Sequence, residues 1–174
     1  MALITEDGTG KADAESYASV DAADVYHLAR ANSAWAALDA AAKEASLRKA
    51  TDYIESVYTG EWLGQRATAA QMLEWPRSNV PALSGINYEP SNAVPRRLVM
   101  ATCELALKAS AGVLLKDEGQ RAVSKTVGPL TIKYADDAPA ATRFQMVESL
   151  LGPYMASSAS APGATSSQIR LVRA

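Results

Sequence analysis

Cysteine, histidine and phenylalanine each occur once in the 174 residues, and aromatic residues make up only 6%. A single cysteine, Cys103, excludes an intrachain disulfide, and one Cys with one His cannot by themselves assemble a structural zinc site. No uninterrupted apolar run nears the roughly 18 residues of a membrane span. The opening Met1-Ala2-Leu3-Ile4-Thr5-Glu6-Asp7 lacks the basic and apolar regions of a secretion signal, so the chain is expected in the cytoplasm where it is made, with no membrane partner. An excess of either charge is lacking too: 17 Lys plus Arg stand against 19 Asp plus Glu, for a formal net charge of -2. That balance gives no global attraction to polyanions, so any nucleic-acid contact needs a local basic patch.

Alanine is abundant instead, at 35 of 174 residues. It is the strongest helix former and lets helices approach closely, but each such contact buries little area. The expectation is a mainly α single domain with a thin core, a bundle of about four helices with one β-hairpin, in which neighbouring subunits supply part of the burial.

Along the chain, Ser16 or Ser19 can cap a first helix over 19–30 whose first turn carries Asp21 and Asp24 and whose inner side carries Val20, Ala23 and His27. Residues 35–58 contain no Gly or Pro, and Leu47, Ala50, Ile54 and Val57 recur at helical spacing, which predicts one long second helix. Its outer face carries Lys43, Glu44, Arg48, Lys49, Asp52 and Glu55. Residues 68–74 can form one or two helical turns. The segment 76–95, with Pro76, Pro81, Pro90 and Pro95, reads as a loop with a packing or partner-binding role. Pro95 suits the start of a third helix reaching about residue 115, with Leu98, Ala101, Leu105, Ala109 and Gly112 in one stripe. The period then changes. Apolar and polar residues alternate on either side of Gly128-Pro129, predicting a hairpin over 121–135 with a type II′ turn. A fourth helix follows over 142–154, with Phe144, Val147, Leu150 and Leu151 inward. Residues 156–167 contain only Ala, Ser, Pro, Gly and Thr, a linker composition. Gln168, Ile169, Arg170, Leu171, Val172 and Arg173 then have strand spacing and read either as a disordered tail or as an arm that orders on a partner.

No catalytic motif emerges. Gly8-Thr9-Gly10-Lys11 misses the Walker pattern at Thr5 and Ala12, and misses the dinucleotide fingerprint at Asp13. His27 and Cys103 read as core residues, and Asp136-Asp137 as turn residues beside Pro139. No enzyme activity and no cofactor are expected. Trp62, Arg66, Trp75 and Arg77 form the aromatic-basic mixture that could stack on single-stranded bases, with the two tryptophans read first as anchors for the loop. Arg96 and Arg97 read as a solvated helix start or a contact to a neighbouring subunit.

Several segments, taken together, resemble a family: Asp7-Gly8-Thr9-Gly10, Ala14-Glu15-Ser16-Tyr17, Ala23-Asp24-Val25-Tyr26, Leu47-Arg48-Lys49-Ala50-Thr51-Asp52-Tyr53-Ile54, Leu73-Glu74-Trp75-Pro76-Arg77, Val94-Pro95-Arg96-Arg97-Leu98, Cys103-Glu104-Leu105-Ala106-Leu107 and Val127-Gly128-Pro129-Leu130. The pattern resembles the tailed-bacteriophage head-tail connector, or adaptor, proteins, and proteins with it are also labelled DnaT-like single-stranded-DNA-binding. The resemblance implies a helical connector domain over 1–155 that assembles as a homo-oligomer, usually a dodecameric ring, beneath the portal protein at the virion neck. It further implies a downstream tail-completion or stopper protein as partner, and double-stranded DNA passing through the lumen without sequence specificity. The arm within 156–174, Gln168 to Arg173, then becomes the expected portal-docking segment. The hairpin residues Lys125, Val127, Gly128, Pro129, Leu130 and Lys133 become the expected ring or tail contacts. The alternative is a single-stranded-DNA-binding replication accessory protein contacting its strand through Trp62, Arg66, Trp75 and Arg77.

Overall fold

The computed structural model describes residues 2–115, 124–127, 130–133 and 143–156. Its elements are α1 (Val20–Leu28), α2 (Ser33–Ala36), α3 (Ala40–Tyr58), β1 (Gln65–Arg66), β2 (Arg77–Ser78), α4 (Arg96–Ala111), β3 (Ser124–Val127), β4 (Leu130–Lys133) and α5 (Gln145–Leu151), the last followed by a 3-10 turn (Gly152–Tyr154). The fold is mainly helical, as composition predicts, and beside the expected hairpin it has a second short antiparallel pair, β1 with β2, that the period does not announce. No described helix is long and apolar enough to cross a membrane.

α4 is central, packed against α3 and α5 and touching α1 and α2. Its buried face is Leu98, Ala101, Thr102, Cys103, Leu105, Ala106 and Ala109, against Leu47, Ala50, Tyr53, Ile54 and Tyr58 of α3. The small alanines allow close approach, while the tyrosines and leucines supply most of the apolar area. Ser19 caps α1, its side chain accepting from the Ala22 N–H at 3.1 Å, and Ala23 and His27 are buried as the spacing predicts.

Five expectations are corrected. The single helix over 35–58 is two: Asp39 stands outside helical geometry and accepts from the Ala42 N–H at 2.7 Å, so a new helix starts at Ala40. Glu55, expected on the outer face of α3, is half-buried and accepts from the Tyr17 hydroxyl at 2.5 Å. Residues 68–74 are not helical. The buried Gln71 side chain accepts from Thr68 N–H at 2.9 Å and donates to the carbonyls of Leu73 (2.8 Å) and Pro76 (3.0 Å), substituting side-chain bonds for the helical ladder. Gly112 lies past the end of α4, is exposed, and belongs to no apolar stripe. The fourth helix is also shorter than 142–154, with Phe144 as its cap residue and Gly152 opening the 3-10 turn.

β1 and β2 pair antiparallel, Gln65 with Ser78 and Arg66 with Arg77. Gly64, at φ +68°, makes the pairing possible, because a Cβ there would lie 2.1 Å from the Ser78 carbonyl oxygen. β3 and β4 form the expected hairpin, with Lys125 opposite Ile132, Val127 opposite Leu130 and Ser124 opposite Lys133. Its turn at Gly128-Pro129, and with it the type II′ expectation, lies outside the described residues, as do the 157–174 segment and its Gln168 to Arg173 arm.

Candidate functional site

Trp62, Trp75 and Arg77 do come together, but inside the protein, with Arg66 left at the surface. Trp75 is fully buried and Trp62 is 6% exposed. Their rings meet edge to face with centroids 6.0 Å apart, and Tyr154 and Tyr58 continue the stack at 5.6 Å and 6.3 Å. Neither indole offers a face to a nucleobase. Both are anchors, holding the 61–78 segment to α3 and to the 3-10 turn.

Arg77 is equally committed. Its guanidinium donates to the carbonyls of Leu63 (2.8 Å), Gly64 (3.0 Å) and Glu74 (3.3 Å), and to the Glu74 carboxylate at 2.6 Å. That set saturates the fork that would otherwise grip a phosphate. Arg66 is exposed but donates to the Gln71 carbonyl. Behind Trp75 its own N–H bonds the Tyr17 hydroxyl at 3.2 Å, and the Glu74 N–H bonds the Glu55 carboxylate at 3.1 Å. Burial raises the Glu55 carboxyl above its usual range, offset in part by these hydrogen bonds. The network is a structural clamp on the 73–77 segment.

The glycine-rich lead-in has an internal ligand. The N–H groups of Gly8 (2.8 Å), Gly10 (2.9 Å) and Lys11 (2.8 Å) converge on the buried carboxylate of Glu6, so the cradle that could receive a phosphate is already filled. Asp7 is exposed, and its carboxyl is held down at about 2 by hydrogen bonds from Thr9 and Lys11.

His27 and Cys103 are neighbours without being a catalytic pair. The His27 Nδ1 accepts from the Asn32 amide at 3.0 Å, which sets Nε2–H to donate to the Cys103 carbonyl at 3.1 Å, away from the thiol. Burial lowers the imidazole below its ordinary 6.5 and pushes the thiol up to about 12, so both are neutral. Among the described residues, no cluster of three His, Cys, Asp or Glu could hold a metal ion.

What composition did not signal is a run of uncovered aliphatic side chains. Val25 and Leu28 on the outer side of α1 are 70% and 83% exposed, and Ile86 and Tyr88 in the loop are 83% and 67% exposed. Three grooves lie side by side on this surface. One, about 720 Å³, lies between Leu83 and the α4 and α5 residues Arg96, Arg97, Met100 and Met146. The next, about 460 Å³, shares Arg96 and Met100 and runs to Val25 and Ala22 of α1. The last, about 430 Å³, lies between α1 and α2. The i, i+3 placement of Val25 and Leu28, off the predicted inner side of α1, was the available signal. Of the expected hairpin contacts, Lys125, Val127, Leu130 and Lys133 stand on β3 and β4. Gly128, Pro129 and the arm residues lie outside the described residues, as do Asp136 and Asp137.

Comparison with known proteins finds one family whose model matches, described as "Putative DnaT-like ssDNA binding protein", over residues 1–174. No curated protein matches the chain. No solved structure matches it either. A head-tail connector family is not among these findings; the match falls on the second label carried by the sequence resemblance. With its model spanning the whole chain, the protein belongs to the DnaT-like ssDNA-binding protein family.

Proposed function

We propose that the protein is a non-enzymatic assembly subunit, a head-tail connector that joins a ring of its own copies to a portal at the virion neck and leaves a channel for double-stranded DNA. The observation that carries the assembly part is the exchange of expected places: Trp62, Trp75 and Arg77, suited to nucleic acid, are engaged inside the fold, while apolar side chains on α1 and the 81–88 loop stand uncovered. Exposed apolar side chains gathered on two separate patches suit protein contacts. The connector part rests on the sequence resemblance, which supplies the portal, the stopper partner, the dodecameric ring and the docking role of residues 168–173. A slightly acidic subunit also suits a channel through which DNA slides, because tight phosphate binding would slow it.

The second reading is a single-stranded-DNA-binding replication accessory, and the family description favours it. On that reading the strand is held by cations outside the Trp62–Trp75 corner, such as Lys49, Arg96 and Arg97, for which no ion pair is formed among the described residues. Electron microscopy of the protein mixed with its portal, together with titration of a fluorescent single-stranded oligonucleotide at two salt concentrations, separates the two. A ring on the portal without oligonucleotide binding is the expected result. No ring, with tight salt-dependent binding, would overturn the connector reading and establish the second.

A further inference from the structure

The 80–88 segment is a tight turn that displays apolar side chains to solvent. The Ala82 N–H bonds Asn87 O at 2.8 Å, the Gly85 N–H bonds Ala82 O at 2.9 Å and the Glu89 N–H bonds Val80 O at 2.8 Å, so the turn is held by its own backbone. Val80-Pro81-Ala82-Leu83-Ser84-Gly85-Ile86-Asn87-Tyr88 contains no charged residue, yet Ile86 near its tip and Tyr88, bridged to Pro81 at its base, are largely exposed. Leu83 lines the first of the three grooves, which places this turn at one margin of the surface, with α4 and α1 between it and the groove of α1 and α2 at the other margin.

That far groove is apolar and electrically neutral. Val25, Leu28, Ala31 and the Trp35 ring line it, and its two charged residues, Asp24 and Lys43, are paired with each other at 2.9 Å. Asp24 also accepts from the Trp35 indole N–H at 2.7 Å. A polyanion finds no free cation there, and the basic Arg170 and Arg173 of the C-terminal segment would find no free carboxylate. The middle groove, by contrast, is edged by Asp21, Arg30 and Arg96. Charge matching therefore selects an uncharged apolar occupant for the α1–α2 groove, and the chain carries one on its opposite margin.

We propose that the 80–88 turn of one copy seats Ile86 and Tyr88 in the α1–α2 groove of a second copy, a head-to-tail contact. It rests on the assembly reading above and names the surfaces that reading leaves open. Because knob and groove are different patches, repetition of the contact builds a ring or an open chain of subunits, whereas a two-fold patch would stop at a dimer.

Cross-linking tests this on the full-length protein, free and bound to its portal. Two variants, Ile86→Cys and Leu28→Cys, are mixed under mild oxidation, with the wild type as control for the buried Cys103. The expected result is disulfide-linked dimer in the mixture and little in either variant alone, with a ladder of higher species from the double variant. Ile86→Asp should weaken self-association roughly 30-fold, the size of a hot-spot loss, without changing the circular dichroism spectrum. Equal cross-linking in each variant alone would overturn the head-to-tail contact in favour of a two-fold one. Ring formation on the portal with no cross-link would overturn this seat while leaving the connector reading intact. Absence of any self-association, free or on the portal, would overturn both.

Discussion

Arg77 is 7% exposed and Leu28 is 83% exposed, the reverse of where a guanidinium and an isobutyl group are usually found. The comparison extends to their surroundings. Around Arg77, two tryptophans, a tyrosine hydroxyl and two glutamates form a closed corner in which the charged groups and the Tyr17 hydroxyl are partnered, while the two buried indole N–H groups have no hydrogen-bond partner among the described residues. Around Leu28, Val25, Ala31 and the Trp35 ring line a groove that stands open to solvent. A charged side chain enters the interior when backbone carbonyls and a carboxylate receive it, and an aliphatic one stays outside when something else is to cover it. Residue type thus reports the chemistry available at a position, while the hydrogen-bond inventory of the neighbours decides on which side of the surface that chemistry is used.

The sharpest way to break this contrast is Trp75→Ala. If the indole is an anchor, the variant loses about 3–5 kcal/mol of stability, read as an early midpoint in urea unfolding. A stable variant that instead lost oligonucleotide binding would return the corner to the surface. Arg77→Met comes next. It keeps the apolar stem but leaves Glu74 and two carbonyls without their donor, so a loss of about 2–4 kcal/mol is expected by the same measurement.

The exposed face has its own pH signature through His27, which lies at the floor of the α1–α2 groove. Its pKa in the folded protein is lowered from the ordinary 6.5, first by burial. The unfolded chain therefore takes up the proton first as pH falls. This contribution to stability is complete above about pH 6.5 and is lost below it, with a limiting slope of about 1.4 kcal/mol per pH unit for one proton. Thermal unfolding from pH 7.5 to 5.5 should show the fall, and His27→Gln should flatten it. The smallest effect belongs to Leu28→Asp, which should change monomer stability by no more than about 0.5 kcal/mol in thermal unfolding of the isolated subunit. A large loss would mean that Leu28 belongs to the fold and not to an interface.

Much of the helical framework was legible in the sequence because periodicity and capping speak directly about local geometry. Ser19 before α1 and the Leu98, Ala101, Leu105 and Ala109 stripe of α4 are cases of this kind, and so is the 3.6-to-2 change of period that announces β3 and β4. The break between α2 and α3 was hidden because Leu38 and Asp39 interrupt no apolar pattern and bring no Gly or Pro; only the capping bond to Ala42 reveals it. The 68–74 segment misled for a different reason. Its residues tolerate a helix, and what prevents one is a side chain, Gln71, bonding backbone groups on both sides of it. The candidate nucleic-acid residues were picked by composition, and an aromatic-basic mixture has the same composition inside a fold as on its surface. The uncovered aliphatics were overlooked because Ile86 and Tyr88 sit among Pro, Gly, Ser and Asn, where the eye reads loop rather than contact.

The Glu6 carboxylate that fills the glycine-rich cradle has a consequence for how the chain closes on itself. Gly8, held by that carboxylate at φ +101°, sits so near the Asn92 carbonyl that an added Cβ would lie 2.1 Å from it. The lead-in and the end of the proline-rich segment thus come into close backbone contact across α1, α2, α3 and the tryptophan corner. This is a long-range closure of the kind that makes folding cooperative and sets a slow, topology-limited search. The stretch from residue 6 to residue 92 should then unfold as one unit, with its amides sharing a common exchange rate.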